Sequence, residues 1–283
     1  METVSLLPSY AEELISARLS SVVYKSTDES EKDHLERLLI NTDTLGLEYI
    51  GSLNEESVQA YCFKGKGTIW IAIAGTNEEK DWHVNLTTEL INVGGVNIHK
   101  GFHKSSQRLK KWVDEMKLSK KDRHYICGHS KAGAEATLLA YGLVTDFDPH
   151  NVRGVFTFGS PRVGDVKFVE SYNKLLQKFT CRFQILGDPV AMVPTECKTK
   201  ISGEYRHVSG ELYFDRAGSP VFHNLEEHLW EEKSQRIGEH LKNFFSKDIT
   251  WGHTFDVLGD VVGEYADNHS MDLYLIYVEK MYL

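Results

Sequence analysis

Apolar and polar positions along the chain alternate between two periods. Residues 9–24 place Ala11, Leu14, Ile15, Leu19 and Val22 on one stripe at helical spacing. Residues 57–63 (SVQAYCF) and 67–74 (GTIWIAIA) are instead short β-rich runs, and Lys64-Gly65-Lys66-Gly67 between them predicts a hairpin. Helical spacing returns over 102–118, with Phe102, Leu109, Trp112, Val113 and Met116 on one side. The run 123–128 (RHYICG) predicts a short strand that feeds a small-residue helix, AGAEATLLAYGL. Two further apolar strands are expected at 152–158 and 181–186, with helical patterns between them. Residues 203–215 predict a second short hairpin around Ser209-Gly210, and 224–246 a charged amphipathic helix, while 255–282 carry no clear period. Strands alternating with helices imply an α/β chain with a mostly parallel central sheet covered by helices on both faces, made mixed by the early hairpin. No repeat, low-complexity tract or linker interrupts the pattern, so 1–283 is read as a single domain.

Composition narrows the function classes. Apolar residues at 41% and charged residues at 26% fit an ordinary globular protein. A formal net charge of -9 argues against a nucleic-acid partner, because phosphate contacts need clustered Lys and Arg. The one basic cluster, Lys110, Lys111, Lys117, Lys120 and Lys121, is interleaved with acids and reads as a solvated helix face. The N-terminus lacks a basic region followed by an apolar run, and no stretch of 18 apolar residues occurs. A cytoplasmic protein without a transmembrane segment is therefore expected, with peripheral membrane contact and export by another route left open. Cys62, Cys127, Cys181 and Cys197 show no CxxC spacing and read as free thiols. The histidines form no HExxH motif and no glycine loop suits a phosphate, so neither a metal nor a cofactor is expected.

The chemistry concentrates after the strand ending at Cys127. Gly128-His129-Ser130-Lys131-Ala132-Gly133 sets a serine between an apolar strand and an Ala/Gly-rich helix, the arrangement of a nucleophile elbow. The backbone there is strained, and residues two positions either side of the serine must be small where strand and helix pass closely. Gly128 and Ala132 meet that need, although Ala132 breaks the strict G-x-S-x-G pattern.

The segment GHSKAGAEATLLAYG resembles the elbow of the class 3, fungal-type lipases of the α/β-hydrolase superfamily. Four more blocks agree in order: IAIAGTNEEKDWHVNL, IHKGFHKS (98–105), FTFGSPRVGD (156–165) and ILGDPVAMVP (185–194). The likeness covers roughly 57–195. Lys131 resembles the GHSKGG of a bacterial and phage lipase-like branch more than the secreted fungal enzymes, and Ala74 and Asn85 stand where the family commonly has Arg and Asp.

The resemblance implies an α/β-hydrolase fold and a Ser–acid–His order along the chain. Ser130 is the expected nucleophile and Asp188, in the family's strand-end position, the expected acid; Asp165 is then structural. The base must come later, from His207, His223, His228, His240, His253 or His269. His269 resembles the family's C-terminal histidine and is preferred, with His253 second. The oxyanion is expected to meet the backbone N–H groups of Lys131 and Thr76, the latter on a loop braced by Asp81, Trp82 and Asn85. The resemblance gives His129 a packing role. Lys131 reads as a solvated cation or, more sharply, as an attractor of anionic head groups. The stretch between Thr76 and Ile98 is too polar for a strongly amphipathic lid, so pronounced interfacial activation is not expected. The chain thus reads as a serine hydrolase of small-molecule ester or lipid substrates. The alternative is a catalytically silent lipase-like scaffold that binds acyl ligands.

Overall fold

The computed structural model describes residues 10–55, 58–75, 89–188, 190–194, 204–215, 217–221 and 266–282. Among these residues the centre is an eight-stranded sheet. β1 (Glu48–Glu55), β2 (Val58–Gly65) and β3 (Thr68–Ala74) form an antiparallel meander. β2 and β3 close over the turn at Gly67, whose φ of 69° is open to glycine without strain. β3 then pairs in parallel with β6 (Arg123–His129), and the parallel run continues through β7 (Val152–Phe158), β8 (Thr180–Ile185) and β9 (Glu211–Phe214). Strands buried on both faces need continuous apolar runs, as in the buried IWIAIA of β3. β4 (Leu90–Val93) and β5 (Val96–His99) form a separate two-stranded hairpin.

Helices cover both faces and divide the core in two. On one side α3 (Lys100–Glu115), α4 (Lys131–Val144) and α5 (Val166–Leu176) pack Phe102, Leu109, Leu139 and Phe168 onto the sheet. On the other, α1 (Tyr10–Val22) and α6 (Met271–Lys280) cover an aromatic layer containing Trp70, Tyr125, Phe156 and Tyr274. Phe158, Phe183 and Phe214 stack across β7, β8 and β9 with centroids 5.0 and 6.0 Å apart. Each such buried side chain contributes about 1.5–3 kcal/mol, so the sheet that carries the elbow is held from both sides. α2 (Glu31–Thr44), capped by Ser30 on the Asp33 N–H, packs beside β1; neither element stood out in the sequence.

One expected element is corrected. Ser209-Gly210 is not a hairpin turn. Residues 204–210 make only an isolated bridge, Gly164 with Arg206, and β9 begins at Glu211, parallel to β8. Gly210 has φ 101° and lies against the Thr180 carbonyl, where a Cβ would overlap it; the Ser209 N–H donates to Asn173 Oδ1 at 3.0 Å. The glycine therefore serves a close approach between segments and not a local reversal. The actual reversal is at Asp215–Ser219, which pairs β9 with β10 (Pro220–Val221). The helix expected at 224–246 lies outside the described residues.

Candidate active site

Three successive parallel strands end at one place. β6 ends in His129, and Ser130 follows with φ 64°, a backbone conformation rare outside glycine, before α4 begins at Lys131. Such strain persists only where the surroundings fix it. The Ser130 N–H donates to the Phe158 carbonyl at 2.8 Å, tying the apex to β7. A Cβ on Gly128 would sit 2.6 Å from the Ala132 carbonyl oxygen and 2.9 Å from the Ala132 methyl. The elbow therefore tolerates Ala132 because Gly128 leaves room for its methyl, and the departure from the strict motif is absorbed.

Asp188 lies three residues past β8 and is wholly buried. Its Oδ1 accepts the Val190 N–H at 2.8 Å, and its Oδ2 accepts the Tyr274 hydroxyl at 2.7 Å. His269 ends a 3₁₀ turn, Ala266–His269, just before α6. Its Nδ1 is 2.9 Å from Asp188 Oδ2 and its Nε2 is 2.9 Å from Ser130 Oγ. A carboxylate can only accept, so Nδ1 carries the proton and Nε2 offers a lone pair to the serine hydroxyl. The structure thus brings Ser130, Asp188 and His269 together. His207 is elsewhere: its Nε2 donates to the Ala191 carbonyl at 2.6 Å, and burial first, then Arg182 and Arg162, hold its pKa well below the usual value. His223, His228, His240 and His253, and likewise Thr76, Asp81, Trp82 and Asn85, lie outside the described residues. So does most of the segment weighed for a lid, whose remainder forms the β4–β5 hairpin.

Several site residues carry signals that only the structure explains. Gly159 follows β7 with φ 56°, and a Cβ there would lie 2.6 Å from Asp188 Oδ2 and 3.0 Å from His269 Nδ1. The glycine of FTFGSP makes space for the acid–base pair. Tyr274 is the acid's further donor; its hydroxyl also accepts the Ile185 N–H at 3.0 Å. Burial, then the Asp188 charge, pushes that phenol well up, so it stays protonated and donating. Arg162, from the same GSPR block, donates Nη1 to the Pro194 carbonyl at 2.9 Å and so pins the loop after the acid. Asp165 caps α5 on the Phe168 N–H at 2.9 Å and accepts from Asn97, as a structural residue should.

Lys131 departs from its expected solvated state. Its Nζ lies 2.7 Å from Oε1 of Glu135, a wholly buried carboxylate one turn into α4. Burial raises the Glu135 pKa and the Lys131 ammonium opposes it. The cation is committed to that carboxylate. His99 Nδ1 accepts the Phe102 N–H at 3.1 Å and so caps α3. Among the described residues no group of His, Cys, Asp and Glu could hold a metal ion. No helix among them is long and apolar enough to cross a membrane. An open cleft of about 780 Å³ lies behind Tyr24 and Arg37; Ser130, Asp188 and His269 do not line it.

The chain is similar to known proteins in part of its sequence and in its fold. Residues 70–198 match the family described as Lipase (class 3). An 84-residue stretch is 36% identical to Toxin TseL of Vibrio cholerae, spanning 29% of this chain and 13% of the toxin's length. The fold resembles a Rhizomucor miehei lipase in its propeptide complex (TM-score 0.55, 22% identity, 75% of this chain and 68% of that one). It also resembles a mono- and diacylglycerol lipase from Aspergillus oryzae (TM-score 0.57, 17% identity, 75% and 81%). A triacylglycerol lipase described as having a serine protease triad at its catalytic centre aligns with TM-score 0.56 and 23% identity, over 71% of this chain and 79% of that one. Residues 70–198, which hold the elbow and the acid strand, are the stretch that matches the class 3 lipases, and they lie on an α/β-hydrolase fold.

Proposed function

We propose that the chain hydrolyses carboxylic esters of lipids by an acyl-serine mechanism. The relationship to class 3 lipases supports lipid-ester hydrolysis. The observation that carries the mechanism is the Ser130 Oγ–His269 Nε2–Asp188 chain at 2.9 Å and 2.9 Å, set on a positive-φ elbow. His269 Nε2 takes the Ser130 proton as Oγ attacks the ester carbonyl carbon. The tetrahedral intermediate then collapses, the C–O bond to the alcohol breaks, and the leaving alkoxide takes the proton from His269. Water, deprotonated by the same nitrogen, releases the acid. Asp188 holds the imidazole in the required tautomer and stabilises the imidazolium.

The oxyanion is assigned to the backbone N–H of Lys131, at the positive end of α4, and to Thr76 after β3. One such donor is commonly worth about 3–4 kcal/mol of barrier. With Lys131 Nζ engaged by Glu135, its contribution there is the main chain and not a head-group cation.

The test is hydrolysis of a panel of nitrophenyl esters and phospholipids by the wild type and Ser130→Ala. Turnover should vanish in the variant while its circular dichroism is unchanged. Near-wild-type turnover by a folded Ser130→Ala protein would contradict the assignment.

A further inference from the structure

The residue before the nucleophile takes no part in the chemistry above, yet it touches the base. His129 is buried at the end of β6. Its Nε2 lies 2.7 Å from the backbone carbonyl oxygen of His269, and its Nδ1 lies 2.8 Å from the Tyr24 hydroxyl. The two imidazoles sit 4.6 Å apart, tilted by 32°. A carbonyl oxygen only accepts, so His129 Nε2 must carry the proton. Nδ1 is then a lone pair, and Tyr24 donates to it. Burial, with His269 beside it, holds the His129 pKa well below its usual value, so the ring stays neutral. Burial, then the nearby Glu135 carboxylate, pushes the Tyr24 phenol up, so the hydroxyl remains a donor.

Hydrogen bonds and a close backbone approach surround this contact. Arg37 donates to the Val22 carbonyl at 3.1 Å and the Tyr24 carbonyl at 2.6 Å, fixing the end of α1. Gly75, next to the proposed oxyanion residue, lies so close to the Tyr24 hydroxyl that a Cβ would overlap it. The base itself sits on a short turn. Asn268 donates to the Leu186 carbonyl at 3.4 Å, and Asp188 and Ser130 hydrogen-bond the two ring nitrogens of His269.

We propose that His129 is a positioning residue: an Nε2–H imidazole, set in that tautomer by Tyr24, clamps the main chain of His269 so that its side chain spans Asp188 and Ser130. This rests on the acyl-serine reading. A reacting group displaced by about 1 Å can lose about 100-fold in rate, so a clamp on the base's backbone acts on kcat more than on KM. His129→Leu removes both hydrogen bonds with little change in volume. His129→Gln keeps an N–H that reaches the His269 carbonyl.

The test compares kcat and KM on a nitrophenyl ester for wild type, His129→Leu, His129→Gln, Tyr24→Phe and the Tyr24→Phe/His129→Leu double variant. His129→Leu should lose about 30-fold or more in kcat with KM within about twofold, and His129→Gln should recover to within about fivefold of wild type. Tyr24→Phe alone should lose about fivefold and add nothing in the His129→Leu background, because both act through one contact. In the inactive Ser130→Ala protein, nitrogen-15 spectra should show His129 neutral and protonated at Nε2 from pH 5 to 9. Equal kcat for the Leu and Gln variants, a full additive loss on adding Tyr24→Phe, or an Nδ1–H tautomer would overturn the clamp. Should His129→Leu not fold, the Gln variant, Tyr24→Phe and the spectra decide. Absence of turnover in wild type would sink the acyl-serine reading, whereas the tautomer reports on the contact by itself.

Discussion

β6 carries a histidine pair at each end, and the pairs look alike until their partners are compared. At its start His124 meets His150, rings 4.7 Å apart at 87°, with His150 Nδ1 3.1 Å from His124 Nε2. At its end His129 meets His269, rings 4.6 Å apart at 32°. The lower pair is tied to the Asp122 carbonyl, and no described hydroxyl or carboxylate hydrogen-bonds either ring. The upper pair has Ser130 on one nitrogen of His269 and Asp188 on the other. Buried paired imidazoles alone therefore make no active site. The difference comes from topology: at the carboxyl ends of parallel strands the chain turns sharply, and neighbouring turns deliver a hydroxyl, an acid and a base to one point. At the amino ends the same residue type only fills space and satisfies the backbone.

The largest expected contrast between the two ends comes from Asp188→Asn. An amide keeps the shape but not the charge, and the serine-triad precedent puts the loss near 10⁴-fold in kcat. Next is Lys131→Met, which strips Glu135 of its counter-ion in a buried site; we expect about 3 kcal/mol of lost stability in urea unfolding, restored in good part by adding Glu135→Gln. If the single variant is as stable as wild type, the pair is not coupled. Tyr274→Phe leaves Asp188 Oδ2 and the Ile185 N–H each short of a partner, for a loss of about 2 kcal/mol with lower kcat, readable by thermal melts and steady-state rates.

The smallest catalytic effect belongs to the lower pair. Burial first, then His124 and Lys120, hold the His150 pKa down at about 4, with Asp114 opposing and Lys110 adding. A base depressed in the folded state binds fewer protons than the unfolded chain below the ordinary value of about 6.5. Stability from this group is present above that value and lost as pH falls towards 4, about 3 kcal/mol for the full shift and on the order of 1–2 kcal/mol once solvent screening is allowed for. His150→Gln should flatten that part of the acid unfolding curve and leave kcat unchanged at pH 8. A fall in kcat there would mean that the two ends communicate.

The contrast also explains what the sequence could reveal. The elbow was legible because strain forces small residues at 128 and 132, and Asp188 and Ser130 followed from ordered blocks. β3, β6 and β7 were legible because strands buried on both faces are largely apolar, β2 because a Gly-rich turn joins it to β3, and β8 as an apolar run despite its buried Arg182 and Gln184. β1 was not, because an edge strand reading EYIGSLNE is largely solvated and carries no such run. Ser209-Gly210 misled because a glycine required by a neighbouring strand looks the same in sequence as one required by a turn. Tyr24 and Tyr274 gave no signal, and His129 gave only the packing role implied by the resemblance, since a polar atom aimed across more than 80 positions has no periodicity. Lys131 looked solvated because nothing in KAGAE says that its carboxylate partner is buried.

Activation of Ser130 by His269 can be read by trapping the serine. Wild type, His269→Ala and His253→Ala would each be treated with a fluorophosphonate and the adduct mapped by mass spectrometry. One adduct is expected, on Ser130, at similar rates in wild type and His253→Ala, with loss of nearly all labelling in His269→Ala. Labelling that survives in His269→Ala but disappears in His253→Ala, or an adduct on another residue, would contradict it.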